Sequence, residues 1–275
     1  SITNKTLSVT GGIRETVLDP VSQDTLIYPA EIHLKNIRQV TFGGDNAEAY
    51  WSFDDTQLVF QSNFKDWGIG CDQMFLMNAQ ETFKDTQPPM ISTGKGRTTC
   101  AYFLPDNNHY VYGSTHLVDE NCPEVPLRKN GNYVWPVYDS FDIFVADLEG
   151  NITAQLTTEP GYDAEATVSP KGDKIVFTSM RSGDLELYTM NIDGSDVTQI
   201  TNELGYDGGA FFSPDGTKLI FRSSRPKTPT EIKKYKDLLA DGLVEPVDME
   251  LYICDADGSN LKQLTNLGNA NWSPF

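Results

Sequence analysis

The sequence lacks the features that would place the chain in a membrane or on a nucleic acid. It has no apolar run near the roughly 18 to 20 residues that a membrane-spanning helix needs. Basic side chains are scarce, with 21 lysines and arginines against 39 aspartates and glutamates and a formal net charge of −18. Such a surface repels phosphate backbones and anionic lipids. We therefore expect no nucleic-acid partner and no transmembrane segment, whereas proteins, peptides, sugars and cations all stay open.

Sequence signatures of catalysis are also missing. There is no Gly-x-Ser-x-Gly nucleophile elbow. The three histidines, His33, His109 and His116, do not have the spacing of a metal site. Residues 94–99 contain glycines and a lysine but not the spacing of a phosphate-binding loop. No catalytic residue is assigned, and an enzyme is the less favoured class.

Cysteine is scarce, with four residues in the chain. Cys254 lies in an alternating apolar stretch, where a small buried strand residue is expected. Cys71, Cys100 and Cys122 lie in or beside connections, where one disulfide would leave one thiol over. The sequence does not choose among the three pairings, and it is compatible with an oxidising compartment.

What the sequence does contain is an internal repeat. Two Ser-Pro turns, at Ser169 and Ser213, recur at a spacing of 44 residues within two closely similar segments. That period lies within the ~40 to 50 residues of a four-stranded propeller blade. Less similar copies occur at 49–62 and 101–114. Ser-Pro-Asp-Gly and Asp-x-Asp-Gly turns between short runs rich in Val, Ile, Phe and Tyr predict four antiparallel strands in each copy.

The repeat resembles the PD40 repeat of TolB-like, WD40-like propellers. The shared elements are Ser-Pro-Lys/Asp-Gly, Asp/Glu-Leu-Tyr, Asp-Gly-Ser and Gln-Ile/Leu-Thr-Asn, which follow one another in register over roughly residues 37 to 275. The resemblance implies an all-β fold, a β-propeller of four-stranded blades. The first blade departs from the pattern, with Phe53 in place of the turn proline and residues 79–82 in place of the Asp-Gly turn.

The phase of the repeat predicts how the chain is divided. Residues 1–35 form an N-terminal extension, residues 36–41 a closing strand donated to the final blade, and residues 266–275 the beginning of a fifth blade. Four complete blades are expected at 42–93, 94–157, 158–201 and 202–265, with insertions at 116–140 and 226–248. We expect the chain to form part of a six-bladed ring, whose completion would need about 70 further residues at this repeat length.

Both insertions separate the second strand of a blade from the third. They should therefore emerge on the face where the chain enters each innermost strand. In the second insertion, Thr228 and Pro229 are expected to begin a helix that ends near Gly242. The apolar face of that helix is expected to pack on the rim of the propeller.

Alignment of the repeats places polar residues at the channel mouth on this loop-rich face. One position holds Asn46, Thr98, Asp163 and Asp207, and the position two residues later holds Glu48, Cys100, Glu165 and Gly209. Converging carboxylates would suit a calcium ion or a basic peptide group, and hydrogen bonding to loop amides is the structural alternative. The candidate binding residues are Asn46, Glu48, Arg97, Asp163, Glu165, Asp207, Trp135, Tyr162 and Tyr206.

The resemblance implies a non-catalytic, secreted or periplasmic protein of the bacterial cell envelope that binds or scaffolds protein partners through the loop-rich face. Three alternatives remain. The chain could be the propeller portion of a prolyl-oligopeptidase-like hydrolase, or a metal-dependent propeller enzyme. It could also be a sugar or peptide receptor in which Trp67, Trp135, Tyr162 and Tyr206 stack on the ligand.

Overall fold

The structure, a computed structural model, describes residues 30–126, 128–129 and 131–275. In these ranges, most strands belong to four small antiparallel sheets. The sheets pack in succession, the first against the second, the second against the third and the third against the fourth. This is the β-propeller arrangement that the repeat predicts. Most of the predicted N-terminal extension, residues 1–29, lies outside the described residues.

The strands of each blade follow one another along the chain, apart from the two insertions. The first blade contains β1 (Asn46–Trp51), β2 (Gln57–Ser62) and β3 (Gln73–Asn78). The second contains β4 (Thr98–Phe103) and β5 (His109–Ser114), then an insertion with β6 (Arg128–Lys129), β7 (Asn132–Tyr133) and β8 (Trp135–Pro136), then β9 (Asp142–Asp147) and β10 (Ile152–Gln155). The third contains β11 (Asp163–Val168), β12 (Lys174–Ser179), β13 (Glu186–Asn191) and β14 (Thr198–Gln199). The fourth contains β15 (Asp207–Phe212) and β16 (Lys218–Ser224), then an insertion with α1 (Pro229–Ala240) and β17 (Leu243–Val244), then β18 (Met249–Asp255) and β19 (Lys262–Gln263).

The first blade has a shortened outer strand. The amide of Leu76 donates to the carbonyl of Pro89 at 3.0 Å, and the amide of Ile91 donates to Met74 at 2.9 Å. Residues 89–91 therefore take the outer position beside β3, although only an isolated bridge joins the two there.

In the hairpins between the first and second strands, serine and aspartate side chains form hydrogen bonds with backbone amides of the turn. Ser213 Oγ donates to Asp215 at 2.6 Å and accepts the amide of Lys218 at 3.0 Å. In the first blade, Ser52 makes the equivalent bonds to Asp54 at 2.7 Å and from the amide of Gln57 at 2.9 Å. Such side-chain bonds are the reason that Ser and Asp favour turns. The turn geometry is thus kept although Phe53 replaces the proline.

The glycines of the Asp-Gly hairpins allow each blade to approach the blade before it. Gly150, Gly194 and Gly258 all have φ between 85° and 87°. A Cβ at Gly258 would lie 2.5 Å from the carbonyl oxygen of Ile200, and one at Gly150 would lie 2.8 Å from that of Ile91. Only glycine combines this backbone conformation with this close approach.

Apolar side chains from facing blades fill the space between them. Phe103, Tyr110 and Phe144 of the second blade pack with Val59 and Met74 of the first. Equivalent clusters lie between the second and third blades and between the third and fourth. Burial of one such side chain contributes about 1.5 to 3 kcal/mol, so these apolar layers hold neighbouring sheets together.

The two insertions contact each other. Residues 115–141 and 225–248 meet where β8 pairs with β17, with Trp135 opposite Val244 and Pro136 opposite Leu243. We call the described part of these two insertions the cap. A disulfide between Cys71 and Cys122 joins the cap to the first blade. The cap therefore connects the first, second and fourth blades on one face.

The helix of the cap forms where the sequence predicts it. It begins at Pro229 after Thr228, whose side chain accepts the amide of Glu231 while Glu231 accepts the amide of Thr228. Tyr235 and Leu239 of its apolar face pack against the core under the cap. The capping box and the proline determine where the helix begins.

The segments at the two ends of the repeat region resemble blade elements. Gln39 donates to the carbonyl of Thr41 at 2.9 Å, as Gln199 does to Thr201 at 2.7 Å in an outer strand, and residue 41 lies beside Phe83 of the first blade. At the other end, the amide of Asn271 donates to Met249 at 2.9 Å, as that of Asp207 does to Leu185. The closing strand and the fifth blade stay predictions.

Candidate functional site

The innermost strand of every blade contains a bulge at the same position. The register against the second strand shifts after the second residue of β1, β4, β11 and β15. The third residue has a positive φ, between 48° and 58°, and is Glu48, Cys100, Glu165 or Gly209. Ser273 repeats the conformation with φ 50°. The bulge re-aims these side chains, as bulges near functional sites do.

The bulge residues of the first three blades lie within electrostatic reach of one another. Burial raises the pKa of the Cys100 thiol well above its usual value, and the charges of Glu48 and Glu165 act in the same direction. Glu48 accepts a hydrogen bond from Tyr50. The structure thus brings Glu48 and Glu165 together with Cys100, which supports their assignment to one region near the axis.

Glu165 is held by four donors. Its carboxylate accepts from the hydroxyl of Tyr206 at 2.8 Å, the amide of Gly209 at 2.7 Å and Thr178 at 3.0 Å. Arg222 adds an ion pair at 3.2 Å. These four hydrogen-bond donors satisfy a buried carboxyl group, which indicates a structural role for Glu165.

Arg222 fills the place that a side chain at residue 209 would take. A Cβ on Gly209 would lie 2.0 Å from Nη1 of Arg222. The guanidinium lies 4.8 Å from the ring centroid of Trp272 and 5.5 Å from that of Tyr206. Burial disfavours its charge, but Tyr206 and Glu165 hold its pKa above the ordinary value. The repeat position with an acid in two blades therefore holds a cation in the fourth.

The carboxylates at the first aligned position have partners of their own. Asp163 is 2% exposed and pairs with Arg181 at 2.9 Å. Asp207 is 0% exposed and pairs with Arg225 at 2.7 Å. Burial raises the pKa of both aspartates. Their first role is to hold the ends of neighbouring strands together.

Arg97 and Asn46, from the two remaining blades, make different contacts. Arg97 forms an ion pair with Asp72, the residue before β3. Asn46 is exposed and donates to the carbonyl of Gly43 at 3.0 Å. Thr98 at the same aligned position donates to the carbonyl of Asp72. The four residues of this position therefore do not converge on one point.

Sequence reasoning missed a second repeated network beside these pairs. In three blades a threonine two residues after the outer strand accepts an amide of the third strand and forms a hydrogen bond with the acid at the beginning of that third strand. The pairs are Thr157 with Asp142, Thr201 with Glu186, and Thr265 with Glu250. The sequence signal that could have revealed this network is the recurring Gln-x-Thr, together with the acidic residue before each Leu-Tyr or Ile-Phe.

An aromatic cluster lies beyond the bulge residues. Tyr50, Tyr102 and Phe211 come from the first, second and fourth blades, and their ring centroids lie 5.4 to 6.3 Å apart. Because successive residues of a strand descend along the channel, these rings lie two residues deeper than Glu48 and Cys100. A ligand that enters from the cap face would therefore meet these three rings after the bulge residues.

Two of the aromatic candidates, Tyr162 and Tyr206, lie under the cap, and Trp135 belongs to the cap itself. Tyr206 is 0% exposed, and Tyr162 is also buried in the core that the cap covers. Trp135 packs edge-on against Tyr206 at 5.7 Å and against Trp272 at 5.5 Å. Of the four aromatics proposed to stack on a sugar, Trp67 lies elsewhere, against Phe75 of the first blade.

The cysteines divide as follows. Cys71 and Cys122 form the disulfide, Cys100 is free and partly accessible, and Cys254 is free and buried in β18. The expectation for Cys254 is confirmed. Among the described residues, no three acidic, histidine or cysteine side chains are placed to hold a metal ion, and calcium stays a prediction. In the same part of the chain no helix could cross a membrane.

Comparison with known proteins places this geometry in a fold family. No protein-family model matches the chain, and no curated protein matches it. A structure described as TolB from Agrobacterium tumefaciens superposes with a TM-score of 0.55 at 18% identity, covering 84% of this chain and 86% of that one. The fold is that of a TolB-like β-propeller.

Two further structures are similar to this TolB-like propeller. TolB from Acinetobacter baumannii matches with a TM-score of 0.53 at 16% identity, over 81% of this chain and 44% of that chain. A chain of a nidogen/laminin complex matches with a TM-score of 0.52 at 12% identity, over 80% of this chain and 65% of its own. At these identities the likeness extends to the fold.

Proposed function

We propose that this TolB-like propeller is a non-catalytic module that binds or scaffolds protein partners through its cap face. The observation that carries the proposal is the cap itself. Insertions from two blades that are not neighbours pair strand to strand, and a disulfide joins them to a third blade. Binding residues commonly lie on loops that a rigid scaffold positions.

The charged groups beneath the cap favour a scaffold over a catalyst. Glu165, Asp163 and Asp207 are each engaged by an arginine, and Glu165 also accepts three other hydrogen bonds. Groups held in this way stabilise strand ends, whereas a general acid or base must exchange protons with a substrate.

We further propose that the protein works in the periplasm or outside the cell. The disulfide between Cys71 and Cys122 favours an oxidising compartment, because cytosolic thiols are kept reduced. The resemblance to TolB-like propellers favours the bacterial cell envelope and a protein partner.

A sugar receptor is the second candidate, favoured by three adjoining rings on the cap face. Tyr133 is 50% exposed, Trp272 is 45% exposed, and Trp135 lies between them with centroids 6.4 and 5.5 Å away. Exposed rings of this kind can stack on a sugar. Binding of soluble oligosaccharides with quenching of tryptophan fluorescence would favour this candidate, and the loss of quenching in a Trp272→Ala variant would locate it.

Site-specific photo-crosslinking in producing cells tests the leading proposal. A photo-reactive phenylalanine replaces Tyr133 on the cap or, as the control, Val197, which is 40% exposed at a hairpin on the opposite face. We expect protein adducts from position 133 that decrease when Cys71 and Cys122 are both replaced by serine. Adducts from position 197 alone, or none from either, would contradict the proposal.

A further inference from the structure

A cavity of about 230 Å³ lies between helix α1 and the fourth blade. Pro226, Tyr235, Leu238 and Val247 supply its apolar lining. It is smaller than the ~300 to 1,000 Å³ pockets that hold a whole small-molecule ligand. One aromatic or large aliphatic side chain is the size that fits it.

The apolar wall is open to solvent on one side. Val247 is 44% exposed, and Leu238 is half-buried on the helix face. Tyr235 is fixed in place because its hydroxyl donates to Asp184 at 2.5 Å. The cavity therefore has a rigid side and an accessible apolar side, as the pockets that receive an anchoring side chain at protein interfaces have.

The charges that line the cavity do not balance. Glu245 pairs with Lys234, and Arg225 is engaged by Asp207 and Glu203 outside the cavity. Glu231 and Asp248 have no cation within ion-pair distance among the described residues.

Both of these carboxylates line the cavity, and the charge of Lys227 also acts on Glu231. Hydrogen bonds from the amides of Thr228 and Lys227 hold the pKa of Glu231 below its usual value, so it stays ionised. Asp248 has φ 49°, a conformation that costs energy in most residues and is maintained by the surrounding chain. It places a carboxylate beside Val247 at the rim of the cavity.

We propose that this cavity is a docking pocket for a partner segment in which an apolar side chain is followed directly by lysine or arginine. The apolar side chain enters between Leu238 and Val247, and the basic side chain lies against Asp248 and Glu231. The two carboxylates supply the local negative charge that a basic side chain complements. The inference rests on the proposed function and specifies the partner chemistry of the cap face.

The test uses three blocked tetrapeptides and the intact protein with labelled leucine and valine methyl groups. The probes are acetyl-Gly-Phe-Arg-Gly-amide, its Phe-Glu analogue and its Ala-Arg analogue. We expect the Phe-Arg probe to shift the Leu238 and Val247 methyl signals and to bind about tenfold more tightly than either analogue. Equal binding of the Phe-Glu analogue, or no shift at Leu238, would overturn the proposal.

Two variants separate the two parts of the pocket. Val247→Arg should abolish binding of the Phe-Arg probe, whereas Val197→Arg, at a similarly exposed valine on the opposite face, should not. Asp248→Asn keeps a side chain that tolerates positive φ and should weaken the Phe-Arg probe about threefold to tenfold.

The outcomes distinguish this inference from the proposed function. Unchanged binding in both pocket variants would place the probe elsewhere and reject the pocket. If the probes do not bind but position 133 still forms cross-links, the pocket is rejected and the cap stays the binding face. Failure of both experiments would reject the function as well.

Discussion

At the scale of single residues, the axis depends on which side chain occupies the bulge. Glu48, Cys100 and Glu165 adopt a left-handed backbone conformation. In the sequence, only the glycine at position 209 indicates this conformation. The fourth blade needs a glycine there for space, since Arg222 occupies the position of its Cβ. Glu165 of the third blade then gains a cationic partner from the fourth. The absence of a side chain at residue 209 thus allows Arg222 of the fourth blade to pair with Glu165 of the third.

Replacing Gly209 by alanine should be costly. The left-handed conformation alone costs about 1 to 2 kcal/mol, and displacement of Arg222 should add about 1 to 3 kcal/mol. Gly68→Ala is the control, because Gly68 has φ 74° and nothing lies within 4 Å of its Cβ position. Urea unfolding followed by circular dichroism measures both variants. Equal losses in the two would show that Arg222 moves freely.

The acids at the beginning of the third strands have opposite pKa shifts in two blades. Burial raises the pKa of Glu186 to about 8, and the charges of Asp207 and Asp184 act in the same direction. At the equivalent Glu250, burial also disfavours the charge, but Thr265 and the amides of Gly268 and Leu267 lower the pKa below its usual value. Neutral Asn271 replaces the aspartate there and donates to Glu250.

These opposite shifts predict opposite effects of pH. Between pH 4.5 and about 8 the folded protein keeps a proton on Glu186 that the unfolded chain has lost, so the free energy of unfolding falls as pH rises. Glu186→Gln removes this titration. Its stability relative to the native protein should therefore rise by up to about 3 kcal/mol from pH 5 to pH 8.

Urea unfolding at several pH values checks this prediction. Glu250→Gln is the matched control, and its destabilisation should be largest at neutral pH and decrease in acid. The reason is that stability from a lowered pKa is lost as pH falls through it. Parallel pH profiles for the native protein and Glu186→Gln would contradict the assignment.

At the scale of elements, the cap is the part that distinguishes this propeller from a plain stack of repeats. Its segments are short, with two residues in each of β8 and β17. Two-stranded pairs of this length are marginal by themselves. The core beneath the cap, together with the disulfide, supplies the remaining stability.

Removing the disulfide should loosen the cap. The disulfide joins Cys71 and Cys122, which are 51 positions apart in the sequence. A bridge of this span stabilises by about 2 to 4 kcal/mol, so the double serine variant should unfold at lower temperature, with faster amide exchange at Val137 and Val244. Reductant should reproduce this effect in the native protein and leave the variant unchanged. An unaltered amide exchange rate in the cap would contradict the idea that the disulfide stabilises the cap.

The blades could be predicted from the sequence, because turn residues and strand periodicity are local signals. Ser213 and Asp215 form the predicted turn, and Thr228 begins the predicted helix. The pairing of β8 with β17 could not be predicted, since it joins segments about a hundred residues apart with no shared pattern. The same applies to Arg222, because the space it fills is left by Gly209, which is thirteen positions away in the sequence.

At the scale of the whole molecule, the propeller has two chemically different faces. The turns between strands one and two and between three and four emerge opposite the cap, and they carry many of the acidic residues. Hydrogen bonds within those turns lower the pKa of Asp54, Asp147, Asp193 and Asp215, the last to about 2. This turn face therefore stays anionic at any physiological pH, whereas the cap carries lysines on α1.

The anionic surface predicts that nucleic acid is not a partner. In a gel mobility assay with short double-stranded DNA at low salt, we expect no shifted band, because the phosphate backbone and the protein repel each other. A basic DNA-binding protein serves as the positive control. A shift that disappears as salt increases would contradict the charge argument.

Hydrogen–deuterium exchange of the protein with and without its cross-linked partner tests the central claim, that the cap is the binding face. The account predicts that the partner slows exchange in residues 131–138 and 229–248 and leaves the turns at 104–108, 169–173 and 213–217 unchanged. Slower exchange confined to those turns would contradict it, and would place the binding surface on the opposite face of the propeller.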